Sequence, residues 1–293
     1  MNQKIKLIIE LLKVRITAMV IVTTYLGFYL GNRSLGEYGF AYNELILLIN
    51  LLIGTFMSAS GANVLNQVIE VENDSMMNRT KNRPIPSGKI KMKSALFLGV
   101  FLSISGIFYL YCLTNLYTCL VSLITILLYL FVYTPLKQIS SLNTIVGSVP
   151  GALPPVGGWV ASTGTFDAPA WILFGILFFW QIPHFLSIAI LYANDYKRGG
   201  FKMLPSEFPN SKHTYYHILF FTIALIGASI GLYILKIVGI LYATGSGLLG
   251  ILMLSVGIKV IDNKDFINAK KLLFASLIYL PMLLLLIILD KMN

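Results

Sequence analysis

Long apolar runs broken by short polar segments make up most of this chain. Runs of membrane-spanning length fall at about 16–32, 45–65, 94–113, 116–135, 142–162, 170–191, 215–235, 238–260 and 272–289. A helix needs about 20 apolar residues to cross a bilayer. Inside the hydrocarbon every backbone N–H and C=O must be bonded within the protein, which favours helices throughout. The pattern therefore predicts an all-α fold: a polytopic integral membrane protein with nine transmembrane helices bundled around a central cavity. A single domain spanning 1–293 is expected. The fifth run, S-L-N-T-I-V-G-S-V-P-G-A-L-P-P-V-G-G-W, is the least regular, because Gly and Pro interrupt it. Such residues are tolerated where neighbouring helices pack closely and satisfy the freed backbone.

Composition supports this class: 57% of residues are hydrophobic and only 12% charged, more apolar surface than a soluble core of this length would bury. The net charge of +10 could suggest a nucleic-acid partner. Its distribution points to the lipid bilayer instead. With nine spans, Arg33, Lys236 and Lys291 fall on one side of the membrane and every other Lys and Arg on the opposite side. The positive-inside rule then makes the N-terminus cytoplasmic and the C-terminus external, with no nucleic acid involved. Cys112 and Cys119 lie in apolar runs with no metal-binding spacing and no disulfide framework. The N-terminal run is interrupted by Glu10, Lys13 and Arg15 and lacks a small-residue cleavage site. No Arg- and Ser-rich transit segment precedes it, so a bacterial plasma (inner) membrane is the expected location.

The polar breaks carry the chemistry. Asn66, Glu70 and Asp74 are spaced four apart and share one helix face. Glu72 lies about 200° round from Glu70. Two carboxylates and a carboxamide form an oxygen-rich wall suited to Mg2+, which takes one or two carboxylates plus substrate phosphates. Arg79, Lys81 and Arg83 follow at once, and guanidinium groups clamp phosphate well. Acids for a metal followed by bases for a phosphate describe a diphosphate site, although a solvated juxtamembrane loop could also be charged. Lys13 and Arg15 admit phosphate contact but fit interface anchoring better.

The segment Asn66 to Lys89 resembles the first signature of the UbiA-type intramembrane prenyltransferases, N-x-x-x-D-x-x-x-D, with Glu70 where most of that family has Asp. The run E-x-x-x-D-x-x-M-x-R-T-x-N-R-P is similar, more narrowly, to the haem-farnesylating branch. A second match is Tyr133, Thr134, Lys137, Asn143, Gly147, Gly151, Pro154, Pro155, Gly158 and Trp159. The third region is W-Q-I-P-H-F-L-S-I-A-I-L-Y-A-N-D-Y-K-R-G-G. Here Asp195 matches the first acid of the family's D-x-x-x-D, and Gly199 replaces the second.

The resemblance implies a Mg2+-dependent enzyme that moves the farnesyl group of farnesyl diphosphate to a vinyl group of haem B, with water added. It implies Asn66, Glu70, Asp74 and Asp195 as catalytic, with Glu70, Asp74 and Asp195 on the metal. Arg79, Lys81, Arg83, Lys137, Asn143, Tyr192, Tyr196, Lys197, Arg198 and His184 would hold substrate. Gly199 leaves the number of Mg2+ ions open. Tyr192 and Tyr196 fit either a cation-facing role or an aromatic belt. His184 fits either an iron ligand or a hydrogen-bonded core histidine. His213 and His217 are spaced i, i+4 but lack a third ligand for zinc. A haem A synthase or terminal oxidase assembly is the implied recipient of product. Two other functions fit parts of the pattern: a UbiA-type enzyme acting on a quinone precursor or chlorophyllide, and a non-catalytic transporter or haem-handling protein.

Overall fold

A computed structural model describes residues 3–36, 39–209, 212–262 and 266–290. Two residues of the charge count, Lys264 and Lys291, lie outside them. The described residues form helices α1 (Gln3–Leu11), α2 (Val14–Ser34), α3 (Tyr42–Ile69), α4 (Val71–Met76), α5 (Met92–Leu113) and α6 (Leu116–Leu127). A π-helical turn, Leu128–Tyr133, leads into α7 (Thr134–Ile139), α8 (Asn143–Ala152) and α9 (Pro154–Thr163). Then come α10 (Ala168–Leu191), α11 (Ala193–Arg198), α12 (Leu204–Glu207), α13 (His213–Ile234), α14 (Ile240–Asp262) and α15 (Phe266–Leu289).

Among the described residues, eight helical stretches are long and apolar enough to cross a membrane. The expected ninth crossing, 142–162, is divided into α8 and α9, ten residues each, meeting at Leu153. Pro154 and Pro155 cause the break: they have no N–H to donate to the preceding turn, while their fixed φ suits the start of a new helix. The pair still runs the length of the bundle. At one end Asn143 donates to Lys202 O at 2.8 Å, and at the other Val160 O accepts from Asn115 at 2.9 Å.

Small residues set the helix crossings, because lipid tails supply no hydrophobic drive and backbones must approach for dispersion contact. In the α3–α5 pair a Cβ at Gly61 or at Gly106 would come within 2.5 Å of Ser103 N or Ser58 N. In the α2–α9 pair a Cβ at Gly158 would overlap Thr24 O. Large apolar side chains such as Phe97, Phe108, Ile104 and Leu248 point outward instead, the inverse of a soluble protein.

Polar ties close the end of the bundle opposite α1. Arg33, at the end of α2, is buried and donates to Asp290 O at 2.7 Å and Ile287 O at 3.4 Å. Asp290 in turn accepts from Tyr242 N of α14 at 3.1 Å. These bonds put the ends of α2 and α15 on one face, as the charge pattern required.

Candidate active site

The site lies at the other end, where α3 stops. Its C-cap is Glu70, at φ −93° and ψ 12°, in the sparsely populated bridge region between helix and extended backbone. Hydrogen bonds from Glu70 N to Asn66 O (3.0 Å) and from Asp74 N to Glu70 O (2.8 Å) carry the helical spacing across this break into α4. The three predicted side chains therefore keep one face. All are buried: Asn66 at 1% exposure, Glu70 at 3% and Asp74 at 1%. Glu72 is exposed, as its position on the helix required.

They line a cavity of about 100 Å³ with Lys13, Arg79, Arg83, Lys137, Tyr129, Tyr133, Tyr196 and Phe201. Each oxygen-bearing group has a basic partner. Arg83 Nη1 lies 2.6 Å from Asp74 Oδ2, and Lys137 Nζ lies 2.7 Å from Glu70 Oε1. Lys13 Nζ donates to Asn66 Oδ1 at 2.9 Å, and Asn66 Nδ2 donates to Thr134 Oγ1 at 3.1 Å. The Lys137 ammonium also lies over the Tyr133 ring, 4.4 Å from its centroid. A ring face this close stabilises positive charge. Burial pulls the Lys13 ammonium down to about 7, with Arg83 and Lys137 reinforcing and Glu70 and Asp74 opposing.

One acceptor is left over. Asp74 Oδ1 is buried with no hydrogen-bond partner, an expense a folded protein seldom bears without a use. Among the described residues no three His, Cys, Asp or Glu form a ready-made metal cage. Two carboxylates, one of them with a buried unpaired oxygen, fit a hard cation that also takes phosphate oxygens from its substrate.

The structure separates the other expected site residues into groups. Arg79, Arg83, Lys137 and Tyr196 line the cavity. Lys81 is exposed and donates to Asn78 Oδ1 at 3.1 Å. Lys197 is exposed on α11. Tyr192 does not line the cavity; it stacks on Arg79, whose guanidinium carbon is 4.9 Å from its ring centroid. Asn143 is a tie, its amide donating to Ser140 O (2.7 Å) and Lys202 O (2.8 Å) and so fixing the α7–α8 turn to the 201–203 segment.

Asp195, expected on the metal, is also outside the cavity lining. Its Oδ1 accepts from Asn78 N at 3.2 Å and pairs with Arg198, and its Oδ2 accepts from Arg79 N at 3.1 Å. Burial pushes its carboxyl up, but Arg198 and these two N–H groups outweigh that and hold it below the ordinary carboxylate range. His184 lies between α10 and α15: its Nδ1 is 2.8 Å from Ser276 Oγ, and its ring stacks on Trp180 at 5.0 Å. His217 Nδ1 donates to His213 O at 2.7 Å, a bond within its own helix.

Lys13, Tyr129 and Tyr133, together with Met77, Thr80, Phe201 and Met203, line the cavity without having been among the expected site residues. Lys13 sits in a left-handed turn (φ 48°, ψ 48°) between α1 and α2, which swings it inward from the membrane surface. Tyr129 and Tyr133 lie in the π-helical turn and line the cavity with Lys137. That turn type is rare and has no sequence signature. The four-residue spacing of Tyr129, Tyr133 and Lys137, and the family match at Tyr133 and Lys137, were the available clues.

Comparison with known proteins identifies the family. The sequence pattern of the UbiA prenyltransferase family matches residues 20–278. The protoheme IX farnesyltransferase of Solibacter usitatus is 40% identical, over 97% of this chain and 98% of that protein. That of Flavobacterium psychrophilum is 39% identical, over 96% and 93%. In fold, the chain superimposes with TM-score 0.81 on a solved structure reported for digeranylgeranylglyceryl phosphate synthase, at 21% identity and 99% coverage of each chain. It superimposes with TM-score 0.61 on a UbiA homolog from Archaeoglobus fulgidus bound to DMAPP and Mg2+, at 11% identity, covering 96% and 98%. The chain belongs to the UbiA prenyltransferase family.

Proposed function

We propose that this chain transfers the farnesyl group of farnesyl diphosphate to a vinyl group of protohaem IX (haem B), with addition of water. The observation that carries the diphosphate half is the cavity: Glu70 and Asp74, with Asp74 Oδ1 buried and unpaired, faced by Lys13, Arg79, Arg83 and Lys137. The acceptor half rests on likeness, over nearly the whole chain, to relatives named for that reaction.

Glu70 and Asp74 would hold Mg2+, supported by Asn66. When bound, Mg2+ supplies Lewis-acid neutralisation of the diphosphate. Arg83, Lys137 and Lys13 now rest on Asp74, Glu70 and Asn66. They are within reach of an anion in the same cavity and would turn to its phosphate oxygens. Breaking the C1–O bond sends the electron pair to the diphosphate, where these cations stabilise it. The allylic cation left on C1 would meet the Tyr133, Tyr129 and Phe201 rings, which line the cavity. The haem vinyl group forms the new carbon–carbon bond, and water captures the resulting cation with loss of a proton. No covalent protein nucleophile is required. The apolar helices would shelter the farnesyl tail and keep bulk water from the cation.

By the distribution of Lys and Arg, the N-terminus and the site face the cytoplasm of a bacterial plasma membrane. A haem A synthase or terminal oxidase assembly would receive the product. The test is mass spectrometry of the purified protein incubated with protohaem IX, farnesyl diphosphate and Mg2+. The expected product has the mass of protohaem IX plus one farnesyl group and one hydroxyl, a net addition of C15H26O. Turnover with a quinone precursor and none with protohaem IX would overturn the acceptor assignment. Haem binding without any product would make the chain a carrier.

A further inference from the structure

Gly199 stands four residues after Asp195, at the position where the family motif carries its second acid. The space beside it is already filled. A Cβ at Gly199 would lie 2.8 Å from Met77 Cγ and 3.0 Å from its Sδ. Met77 is 2% exposed and packs with Ala189, Phe201 and Met203. A carboxylate could enter only by displacing a buried methionine. Beside it, Asn73 Nδ2 donates to Gly199 O at 2.7 Å. The α10–α11 region and the segment after α4 are therefore pressed backbone to side chain at this point.

Asp195 completes the junction from the other direction. Its two oxygens take the backbone N–H groups of Asn78 and Arg79 at 3.2 and 3.1 Å, with Arg198 as counter-ion. This fixes the backbone from which Arg79 springs. The Arg79 side chain then lies between two rings, 4.9 Å from the Tyr192 centroid and 5.1 Å from that of Tyr196, and its Nη2 donates to Tyr196 OH at 3.0 Å. Arg79 lines the cavity and Asp195 does not.

We propose that Asp195 is a positioning residue and not a metal ligand: it clasps the Asn78–Arg79 backbone so that Arg79 meets an anion in the cavity, and the chain holds a single divalent cation, on Glu70 and Asp74. The proposal rests on the diphosphate reading of the cavity but not on the identity of prenyl chain or acceptor. A clasp of this kind acts through geometry. Removing or misplacing one charge-assisted hydrogen bond weakens anion binding about tenfold. Residues acting as one unit lose no more together than singly.

The test uses the full chain in detergent, with Mn2+ and inorganic diphosphate as probes, so a wrong acceptor assignment does not affect it. Electron paramagnetic resonance counts bound Mn2+, and calorimetry measures diphosphate affinity, in the wild type, Asp195→Ala, Arg79→Ala and the double variant. The expected result, with Mn2+ measured in the absence of diphosphate, is one Mn2+ per chain with unchanged affinity in all four. Diphosphate should bind about tenfold more weakly in each single variant and no more weakly in the double. If Asp195→Ala fails to fold, Asp195→Asn replaces it. The amide keeps one acceptor oxygen but sets an N–H₂ against the second backbone N–H, so it should weaken diphosphate and leave Mn2+ untouched. Two Mn2+ per wild-type chain, a loss of Mn2+ affinity in either Asp195 variant, or additive losses in the double variant would overturn the proposal.

Discussion

Shortening Glu70 by one methylene tests whether the site is tuned to length or only to charge. Glu70 Oε1 lies 2.7 Å from Lys137 Nζ, and both side chains are largely buried. Glu70→Asp draws the carboxylate back by about 1.3 Å, to roughly 4 Å from the ammonium. At an effective dielectric of about 20, the attraction falls from about 6 to about 4 kcal/mol. The loss of about 2 kcal/mol corresponds to about 30-fold in the population of the aligned site. Displacement of the metal-facing oxygen adds to this, since small misplacements in a positioned site cost about 100-fold. Turnover should therefore fall by roughly 30- to 100-fold while the protein remains folded. Glu70→Gln keeps the reach but presents an amide donor to Lys137 or to the metal, and should lose at least as much. Initial rates across a Mg2+ titration, with circular dichroism as the folding control, measure both. If both variants ran at full rate, Glu70 would be a bystander and the metal would rest on Asp74 without it.

Asp74→Ala should abolish turnover yet leave the protein inserted, because the freed Arg83 is about one-third exposed and can be solvated; near-wild-type turnover in the presence of EDTA would refute the metal assignment. A cysteine at Lys197 should react with an impermeant reagent from the cytoplasm and one at Asp167 from outside; labelling of both from one side would break the crossing count. His184→Ala should leave the absorption spectrum of bound protohaem unchanged and lower the melting temperature, since the ring ties α10 to Ser276 of α15; a shifted haem spectrum would make it an iron ligand. Gly158→Ala should reduce yield and melting temperature more than Gly227→Ala, because the added methyl overlaps Thr24 O in one case and meets open space in the other.

The positions of the crossings were legible because membrane insertion reads hydropathy directly, and eight of the nine runs form uninterrupted spans. The exception, α8–α9, was the run already marked by its Gly and Pro content. What the sequence hid was where those prolines would cut. The acid wall was legible for a similar reason, since the four-residue spacing of Asn66, Glu70 and Asp74 survives the bridge-region break at Glu70. Lys13 was legible as a phosphate contact only behind interface anchoring, because it reaches the cavity through a left-handed turn that a lysine seldom adopts. Asp195 was legible as important, but its partners were not all legible. Its motif position suggested a metal; in the structure it pairs with Arg198 and takes the backbone N–H groups of Asn78 and Arg79, and such backbone partners leave no trace in a sequence.

The balance of charge around the cavity bears on why one acid position could become glycine. Four cationic side chains, Lys13, Arg79, Arg83 and Lys137, and two carboxylates, Glu70 and Asp74, line it. Without substrate, Arg83 and Lys137 are held by the carboxylates, which limits the cost of burying so many like charges. A cation arriving at Asp74 Oδ1 takes over the carboxylates, and the displaced bases become free to face a diphosphate. Binding of metal and anion should therefore be mutually reinforcing, because each relieves the repulsion the other would create. A second metal would add positive charge to a cavity already in surplus. With fixed guanidinium and ammonium groups supplying that neutralisation, a second acid at position 199 has no charge left to balance, and the space serves better as the seat for Met77. Diphosphate affinity measured with and without Mn2+ should show this coupling, and equal affinities would mean that the carboxylates never release their bases.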